Sequence, residues 1–234
     1  MSEYDAVVFD NDGVLVERTN RAVLHEGIRK TYAEFDVSPS DEEIEALLGV
    51  TRDSIAELAT EYDLDTADFW YRRDMNSSHA QCESIENGGK PLYEDITALD
   101  ELEANLGVVS NNQQRTIDFI LDHYDLAHHF ETHYGREPTL EGIDRKKPNS
   151  YYIERALSDL GTRNTLYVGD SGVDILAADD AGIDCAFIRR SHRANYELPA
   201  APTYEIRSLE DLPVICRGDG EAFRPDMESA TRPE

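Results

Sequence analysis

The chain is most tightly constrained by an apolar run that ends in two closely spaced carboxylates. Residues Ala6–Phe9 form the run, and Asp10, Asp12 and Gly13 follow it. A short apolar run with polar flanks predicts a buried strand, and open α/β sheets carry their active sites at the carboxyl ends of such strands. Two carboxylates this close favour a bound cation, but Asp and Gly are also common turn formers. On these residues alone, an acidic site and an ordinary turn are equally open.

Three later segments favour the site, because each places a reactive side chain at the end of a predicted strand or the start of a helix. Leu106–Ser110 is a second apolar run and ends in a hydroxyl. Arg145–Pro148 is a basic step before a helical pattern. Thr165–Asp170 is a third apolar run, and Asp174 follows it one helical turn later. Alternating strands and helices predict a mainly parallel sheet with right-handed crossovers.

The order Asp-x-Asp, Ser, Lys and Gly-Asp-x-x-x-Asp resembles the haloacid dehalogenase superfamily of hydrolases, in its phosphoglycolate phosphatase and beta-phosphoglucomutase branches. The resemblance covers roughly residues 4–213 and includes all four motifs. It implies a Rossmann-like α/β core with an inserted α-helical cap. We place the core at 1–16 and 88–216 and the cap at 17–87. Residues 217–234 are polar and contain proline, so we expect a flexible tail.

The resemblance implies roles for the acidic residues. Asp10 is the expected nucleophile, and Asp12 is the expected general acid and base, with a pKa raised by its carboxylate neighbours. Mg²⁺ is the expected cofactor, since it prefers carboxylate oxygens, water and substrate phosphate. Its expected ligands are Asp10, Asp170 and the backbone carbonyl of Asp12. Asp174 either binds the metal through water or holds the lysine; otherwise, these acids only complement a helix dipole.

Phosphate binding is assigned by the same resemblance. The Ser110 hydroxyl and the backbone N–H of Asn111 are expected to bind phosphate oxygens, although Ser110 alone would suit a helix cap. Lys147, directly before Pro148, is the expected charge on phosphate and Asp10, with Lys146 as the alternative in register. In the cap, Leu48–Arg52 resembles a substrate-specificity loop. Arg52 is expected to pair with a substrate anion or to be an ordinary surface arginine.

Helical periodicity fills the segment between the first two strands. The first helix is expected at about 20–35, and Ser40 with Glu43 forms a capping box for the second. Two further helical patterns follow, and Trp70 is expected in the cap core. The cluster Asn87–Pro91 is the expected linker back to the core. Histidines 123, 128, 129 and 133 are interpreted as a helix end and a loop rather than a metal site.

The net charge of −27 excludes general binding to nucleic acid or anionic membranes, because like charges repel. Acidic residues are spread along the whole chain, and arginine outnumbers lysine. This composition favours a surface adapted to high salt, with an acidic mesophilic protein as the alternative. We expect a cytoplasmic protein, since the sequence has no apolar run of membrane-spanning length, no signal pattern and no paired cysteine spacing.

The sequence therefore predicts a magnesium-dependent phosphatase that acts on a small phosphorylated metabolite through an aspartyl-phosphate. A phosphomutase of the beta-phosphoglucomutase type is the alternative, and the cap would distinguish the two. Haloacid dehalogenation is disfavoured, because familiar dehalogenases lack a carboxylate at the position of Asp12. A catalytically inactive binding protein is disfavoured because every expected catalytic position is filled. Substrate identity and oligomeric state stay open.

Overall fold

The computed structural model describes residues 3–225 and contains one six-stranded sheet in the order β3-β2-β1-β4-β5-β6. Every neighbouring pair of strands is parallel. The strands are β1 Ala6–Phe9, β2 Asn105–Gln113, β3 Phe130–Arg136, β4 Thr165–Gly169, β5 Asp184–Ile188 and β6 Tyr204–Ile206. The predicted fold class, a Rossmann-like α/β core, is confirmed.

Helices cover both faces of the sheet and also fill the interval between its first two strands. Their bounds are α1 Arg21–Glu34, α2 Asp41–Ala46, α3 Arg52–Glu61, α4 Thr66–Glu86, α5 Gln114–His123, α6 Leu140–Arg145, α7 Tyr151–Leu160, α8 Gly172–Ala181 and α9 Leu212–Cys216. Helices α1–α4 lie between β1 and β2 in the chain, where the cap was expected. Among residues 3–225, no helix combines the length and the apolar content needed to cross a bilayer.

Strand β1 is buried on both faces, as its continuous apolar sequence predicts. Val7 and Phe9 pack into one core cluster, while Ala6 and Val8 pack into the other. Successive side chains alternate between the faces of a strand, so β1 joins the two halves of the core. Its central place in the sheet directs the following residue, Asp10, out of the carboxyl edge.

The cap helices have a separate apolar core. Ile28 and Tyr32 of α1 pack with Ile55 of α3 and with Phe69 and Trp70 of α4. The predicted capping box of α2 is present, because the Ser40 hydroxyl accepts from the Glu43 N–H and the Glu43 carboxylate accepts from the Ser40 N–H. Trp70 is 1% exposed, as expected for a cap core residue. Its indole N–H donates to the Thr139 carbonyl oxygen, which also ties the cap to the core.

Helix α4 extends to Glu86, directly before the expected linker Asn87–Pro91. Its second half buries polar side chains, so the apolar period that marks a helix in sequence is absent there. The buried polar residues are Arg73, Asp74, Asn76, Ser77, Ser78 and Gln81. Asn76 bonds to Thr31 of α1, whereas Gln81 bonds to Gln113 and, with Arg73, lines the site described below.

Strand β3 was not predicted from the sequence. The histidine-rich stretch was interpreted as a helix end and a loop; His123 does end α5, but His133 lies within β3. The strand is at the sheet edge, and its burial alternates only at its start. Because half-exposed polar side chains interrupt the apolar pattern, the usual sequence signal for a strand is weak.

The C-terminal segment packs further than expected. Residues Gly220–Phe223 form a turn of 3₁₀ helix, with Gly220 buried and Phe223 packed against the main core cluster. The ordered core therefore continues beyond the predicted boundary at residue 216. The remainder of the predicted tail, 226–234, lies outside the described residues.

Candidate active site

Parallel register brings the sequence motifs to one edge of the sheet. Phe9 pairs with Val108 of β2 and with Val168 of β4. Asp10 therefore lies just beyond the paired residues of β1. On the neighbouring strands, Ser110 and Asp170 lie two residues beyond the partners of Phe9. All three are at most 9% exposed. Motifs at residues 10, 110 and 170 of the chain thus meet in one buried place.

Lys147 is the cation at this edge. Its Nζ lies 2.7 Å from Asp174 Oδ1 and 3.1 Å from Asp10 Oδ1. It also donates to the Tyr167 hydroxyl at 2.6 Å and to the Val109 carbonyl oxygen at 3.1 Å. Burial disfavours the charged amine, but the two carboxylates outweigh this and raise its pKa. Lys147 is therefore a fixed positive charge between two carboxylates.

Lys146, the alternative to Lys147, does not contact the carboxylates at the sheet edge. Lys146 Nζ donates to the Val50 carbonyl oxygen of the cap at 2.5 Å. Lys147 is held in place by Asn111, whose side chain accepts from the Lys147 N–H at 2.7 Å and donates to the Lys147 carbonyl oxygen at 2.9 Å. This reciprocal pair, which the sequence did not indicate, joins the serine motif to the lysine motif. It also explains why Lys147, rather than Lys146, faces the carboxylates.

Asp10, Asp170 and Asp174 form a buried group whose oxygen atoms lie within 4.8 Å of one another. Burial raises the pKa of Asp10 well above its usual value; Lys147 opposes this shift, and the carboxylates of Asp174 and Asp170 add to it. A buried group of converging carboxylates fits a hard divalent cation, because the cation would stabilise the ionised carboxylates and takes oxygen ligands. The residues present therefore fit the expected Mg²⁺.

Two glycines make room for these acids. A side chain at Gly13, which has a φ of 84°, would lie 2.8 Å from the Asp170 carboxyl carbon. The φ is positive, so the turn after Asp12 needs glycine for its backbone as well. At Gly169, a Cβ would clash with the Asp174 carboxylate. Asp174 is further fixed by the Ser171 hydroxyl and N–H, which donate to Oδ2 at 2.7 and 3.0 Å.

Asp170 has two basic neighbours that the sequence did not single out. His192 Nε2 lies 2.6 Å from Asp170 Oδ2, and Arg193 Nε lies 3.2 Å from the same oxygen. Both follow β5 in a turn of 3₁₀ helix, Ser191–Arg193. They orient the Asp170 carboxylate from the side of β5.

Asp12 is held by Lys90, which the sequence marked only as a rare lysine in the return linker. The Lys90 amine is 1% exposed and forms an ion pair with Asp12 Oδ1. Asn112 donates to Asp12 Oδ2 at 2.8 Å. Burial would raise the pKa of Asp12, but the Lys90 charge and these hydrogen bonds lower it overall. The expected raised pKa of Asp12 is therefore wrong for this geometry, and the raised carboxylate pKa belongs to Asp10.

Ser110 is not the cap of the following helix. Strand β2 continues to Gln113, and α5 begins at Gln114 without a side-chain cap. The Ser110 hydroxyl accepts from the Asn112 N–H at 3.3 Å, and both Ser110 and Asn111 line a cavity. The helix-cap alternative is thus excluded, and the hydroxyl faces the same space as Asp10.

This cavity lies between the core and the cap and has a volume of about 560 Å³. Asp10, Asp12 and Lys147 contribute from the core, and Leu48 and Trp70 contribute from the cap. A space of this size suits a small metabolite.

Arg52 is placed differently from the expectation. Its guanidinium pairs with Asp144 at 3.0 Å and with Glu141 at 3.2 Å, both on α6, and its side chain is 45% exposed. Among the described residues, those that line the cavity do not include Arg52. The expected substrate contact is replaced in this geometry by an ion pair between cap and core, and a role for Arg52 in substrate selection stays a prediction.

Comparison with known proteins agrees with this geometry. A family model described as haloacid dehalogenase-like hydrolase matches residues 7–188. The chain belongs to the haloacid dehalogenase-like hydrolase family. A phosphoglycolate phosphatase of Mannheimia succiniciproducens is 26% identical over 90% of this chain and 96% of its own length.

Solved structures of similar proteins share the fold. CbbY from Rhodobacter sphaeroides, in complex with phosphate, has a TM-score of 0.68 and 19% identity, covering 89% of this chain and 96% of that chain. A putative beta-phosphoglucomutase from Thermotoga maritima has a TM-score of 0.58 and 17% identity, covering 90% and 97%. The predicted resemblance and the prediction of an enzyme are confirmed, and the similarity to a named phosphatase supports the narrower class of phosphoric monoester hydrolase.

Proposed function

We propose that the protein is a magnesium-dependent phosphatase that hydrolyses a small phosphorylated metabolite through an aspartyl-phosphate. The observation that carries the proposal is Asp10, buried at the edge of the sheet with Lys147 Nζ at 3.1 Å and two further carboxylates beside it. A carboxylate nucleophile, a fixed cation and a set of metal ligands are what phosphoryl transfer requires at one place. The similarity to a named phosphoglycolate phosphatase supports it.

The first half of the reaction is assigned to Asp10. Its carboxylate oxygen attacks the phosphorus atom while the bond between phosphorus and the leaving oxygen breaks. Asp12 gives a proton to that leaving oxygen, a step that uses its protonated form, against which the Lys90 charge acts. Lys147, the Ser110 hydroxyl and the Asn111 N–H stabilise the charge on the phosphoryl oxygens. Asp10, Asp170, Asp174 and the Asp12 backbone carbonyl would hold Mg²⁺, which supplies charge neutralisation between the nucleophile and the phosphate.

The second half of the reaction is assigned to Asp12. Its carboxylate takes a proton from water, the water oxygen attacks the phosphorus atom, and inorganic phosphate leaves Asp10 free. Lys90 stabilises the ionised form of Asp12, which is the form that this step uses. A phosphomutase would transfer the phosphoryl group to a sugar hydroxyl instead. The structural similarity to a putative beta-phosphoglucomutase is compatible with that alternative.

The test is a screen of phosphorylated metabolites with Mg²⁺ and with excess chelator, at low and at molar potassium chloride. We expect metal-dependent release of inorganic phosphate and a phosphoryl group on the Asp10 peptide after rapid quenching. Isomerised sugar phosphate without phosphate release would support the phosphomutase instead. Full activity in excess chelator would contradict the metal assignment.

A further inference from the structure

A second charged cluster lines the same cavity. Arg73 of α4, Arg136 at the end of β3 and Lys146 before the catalytic lysine contribute its cations, and we call these three residues the basic cluster. Strand β3 lies two strands from β1 in the sheet. With about 5 Å between neighbouring strands, the base of the cluster is roughly 10 Å from the end of β1.

A single carboxylate is shared among these cations. Asp74 is wholly buried and accepts two hydrogen bonds from Arg136, at 2.8 and 2.6 Å. Arg73 Nη1 lies 3.3 Å from the same carboxylate, and Gln113 donates to it at 3.1 Å. Three cations against one anion leave an excess of positive charge in a chain whose net charge is −27. General composition therefore does not explain the cluster.

Arg73 has a donor without a partner. The residue is 7% exposed; its Nη2 donates to the Leu47 carbonyl oxygen, and its Nε has no hydrogen-bond partner among the described residues. A buried donor left unpaired costs free energy. The rings of Trp70 support the guanidinium groups of Arg73 at 5.1 Å and of Arg136 at 4.8 Å, which fixes both beside the cavity.

The pKa values of two cations in the cluster also indicate a shortage of negative charge around them. Burial lowers the pKa of Arg73 to about 10; Asp74 opposes this shift, and the charge of Arg136 adds to it. Burial, followed by the charges of Arg136 and Arg73, also lowers the pKa of Lys146. An anion in the cavity would relieve this repulsion and would supply the missing acceptor.

We propose that the basic cluster binds a second anionic group, a carboxylate or a phosphate, at the non-reacting end of the substrate. The inference rests on the proposed function and specifies its substrate class as a phosphate monoester with a second negative charge. Lys146 and the Asp74 and Arg136 pair also tie the cap to the core, but that role needs no net positive charge and leaves the Arg73 Nε donor without a partner among the described residues. The cavity of about 560 Å³ limits such a substrate to a short skeleton.

The test compares three phosphate esters of equal chain length. Propyl phosphate has a neutral end, phosphooxypropanoate has a carboxylate, and propanediol bisphosphate has a second phosphate. The wild-type protein should show a kcat/KM at least about tenfold higher for one of the two-anion esters than for propyl phosphate, a difference typical of a charge-assisted hydrogen bond. Which of the two is preferred identifies the anion.

The variants are Arg73→Met and Lys146→Met, with Arg72→Met as the matched control. Arg72 is the neighbouring arginine of the same helix, but it is exposed and pairs with Asp68 and Glu34. Either cluster variant should lower kcat/KM for the preferred two-anion ester about tenfold more than for propyl phosphate. The control should leave all three values unchanged. Arg73→Lys keeps the charge and therefore shows whether a loss in Arg73→Met comes from the missing charge or from a fold defect.

A binding measurement separates this inference from the proposed function. Calorimetry on the inactive Asp10→Asn protein with Mg²⁺ should show tighter binding of the two-anion ester than of propyl phosphate. Adding Lys146→Met to that protein should reduce the difference in affinity between the two esters. Turnover without any preference for a second anion, or equal losses on all three esters, would overturn the inference alone. The absence of turnover on every ester would overturn the proposed function, while the calorimetry would still decide whether the cluster binds anions.

Discussion

The two buried charged regions of this cavity are opposite in sign and similar in construction. At the edge of the sheet, the carboxylates Asp10, Asp170 and Asp174 converge; Asp10 and Asp174 share the cation Lys147, and Asp170 pairs with Arg193. In the basic cluster, three cations surround one carboxylate, Asp74. Buried charge that is not balanced within the protein is costly. Under the two proposals, each region is completed by a ligand of the opposite charge, a metal ion at one and a substrate anion at the other.

The largest expected effect is at the acidic edge. Asp10→Asn removes the nucleophile and keeps the side-chain volume, so turnover should fall by more than about a hundredfold. Steady-state rates on the best ester measure the loss, and circular dichroism verifies the fold. Asp179→Asn, an exposed carboxylate of α8, is the control with the same change in charge. A fully active Asp10→Asn protein would contradict the covalent mechanism.

Metal binding should stabilise the acidic edge without any substrate. A ligand that binds only the folded state at about a hundred times its Kd adds about 2.7 kcal/mol to the free energy of unfolding. Mg²⁺ should therefore raise the Tm of the wild-type protein and of Asp179→Asn, and it should raise that of Asp170→Asn much less. An equal rise in all three proteins would show that the ion binds elsewhere.

Lys90 offers a smaller test within the same region, because it is the cation assigned to Asp12. Lys90→Met should raise the pKa of Asp12, since the ion pair that lowers it is lost. The limb of the pH–rate profile that Asp12→Asn abolishes should then move to higher pH. Lys30→Met, a substitution of an exposed lysine in α1, is the control and should leave that limb in place. If the limb does not move, the charge of Lys90 does not set the pKa of Asp12, and Lys90 has only a packing role.

The sequence predicted the acidic edge far better than the basic cluster, and the reason is physical. Asp10 and Asp170 each follow an apolar strand, Ser110 ends the apolar part of β2, and parallel register brings such residues together. Their motifs are local, so a resemblance to a family can assign them. The roles of these residues and the domain boundaries at 16 and 87 stay predictions.

The basic cluster depends on packing that no local pattern encodes. Arg73 and Asp74 lie on the polar face of α4, and Arg136 ends the unpredicted strand β3. The only hint in the sequence is a helix that continues after its apolar period has stopped. Lys90 is similar, since its partner Asp12 is distant in the chain and the return linker Asn87–Pro91 brings them together.

The salt dependence of the Tm should report on the charged surface rather than on the two buried charged regions. With a net charge of −27, self-repulsion at low ionic strength should lower the Tm, and potassium chloride should raise it by screening. Thermal unfolding at fixed Mg²⁺ measures the effect, which should level off well below molar salt if screening alone acts. A flat or falling Tm would refute the proposed adaptation to high salt and would leave the site assignments unchanged.

Arg52 is expected to show the smallest effect and gives the sharpest contrast with Arg73. Its ion pairs with Glu141 and Asp144 are exposed, and such pairs contribute little to stability. Arg52→Ala should therefore leave the free energy of unfolding nearly unchanged and should keep the wild-type preference for a two-anion ester. Denaturant unfolding and the three-ester panel measure both. If Arg52→Ala lost the preference as Arg73→Met is expected to do, Arg52 would contact the substrate when the cap closes, and the anion site would extend beyond the basic cluster.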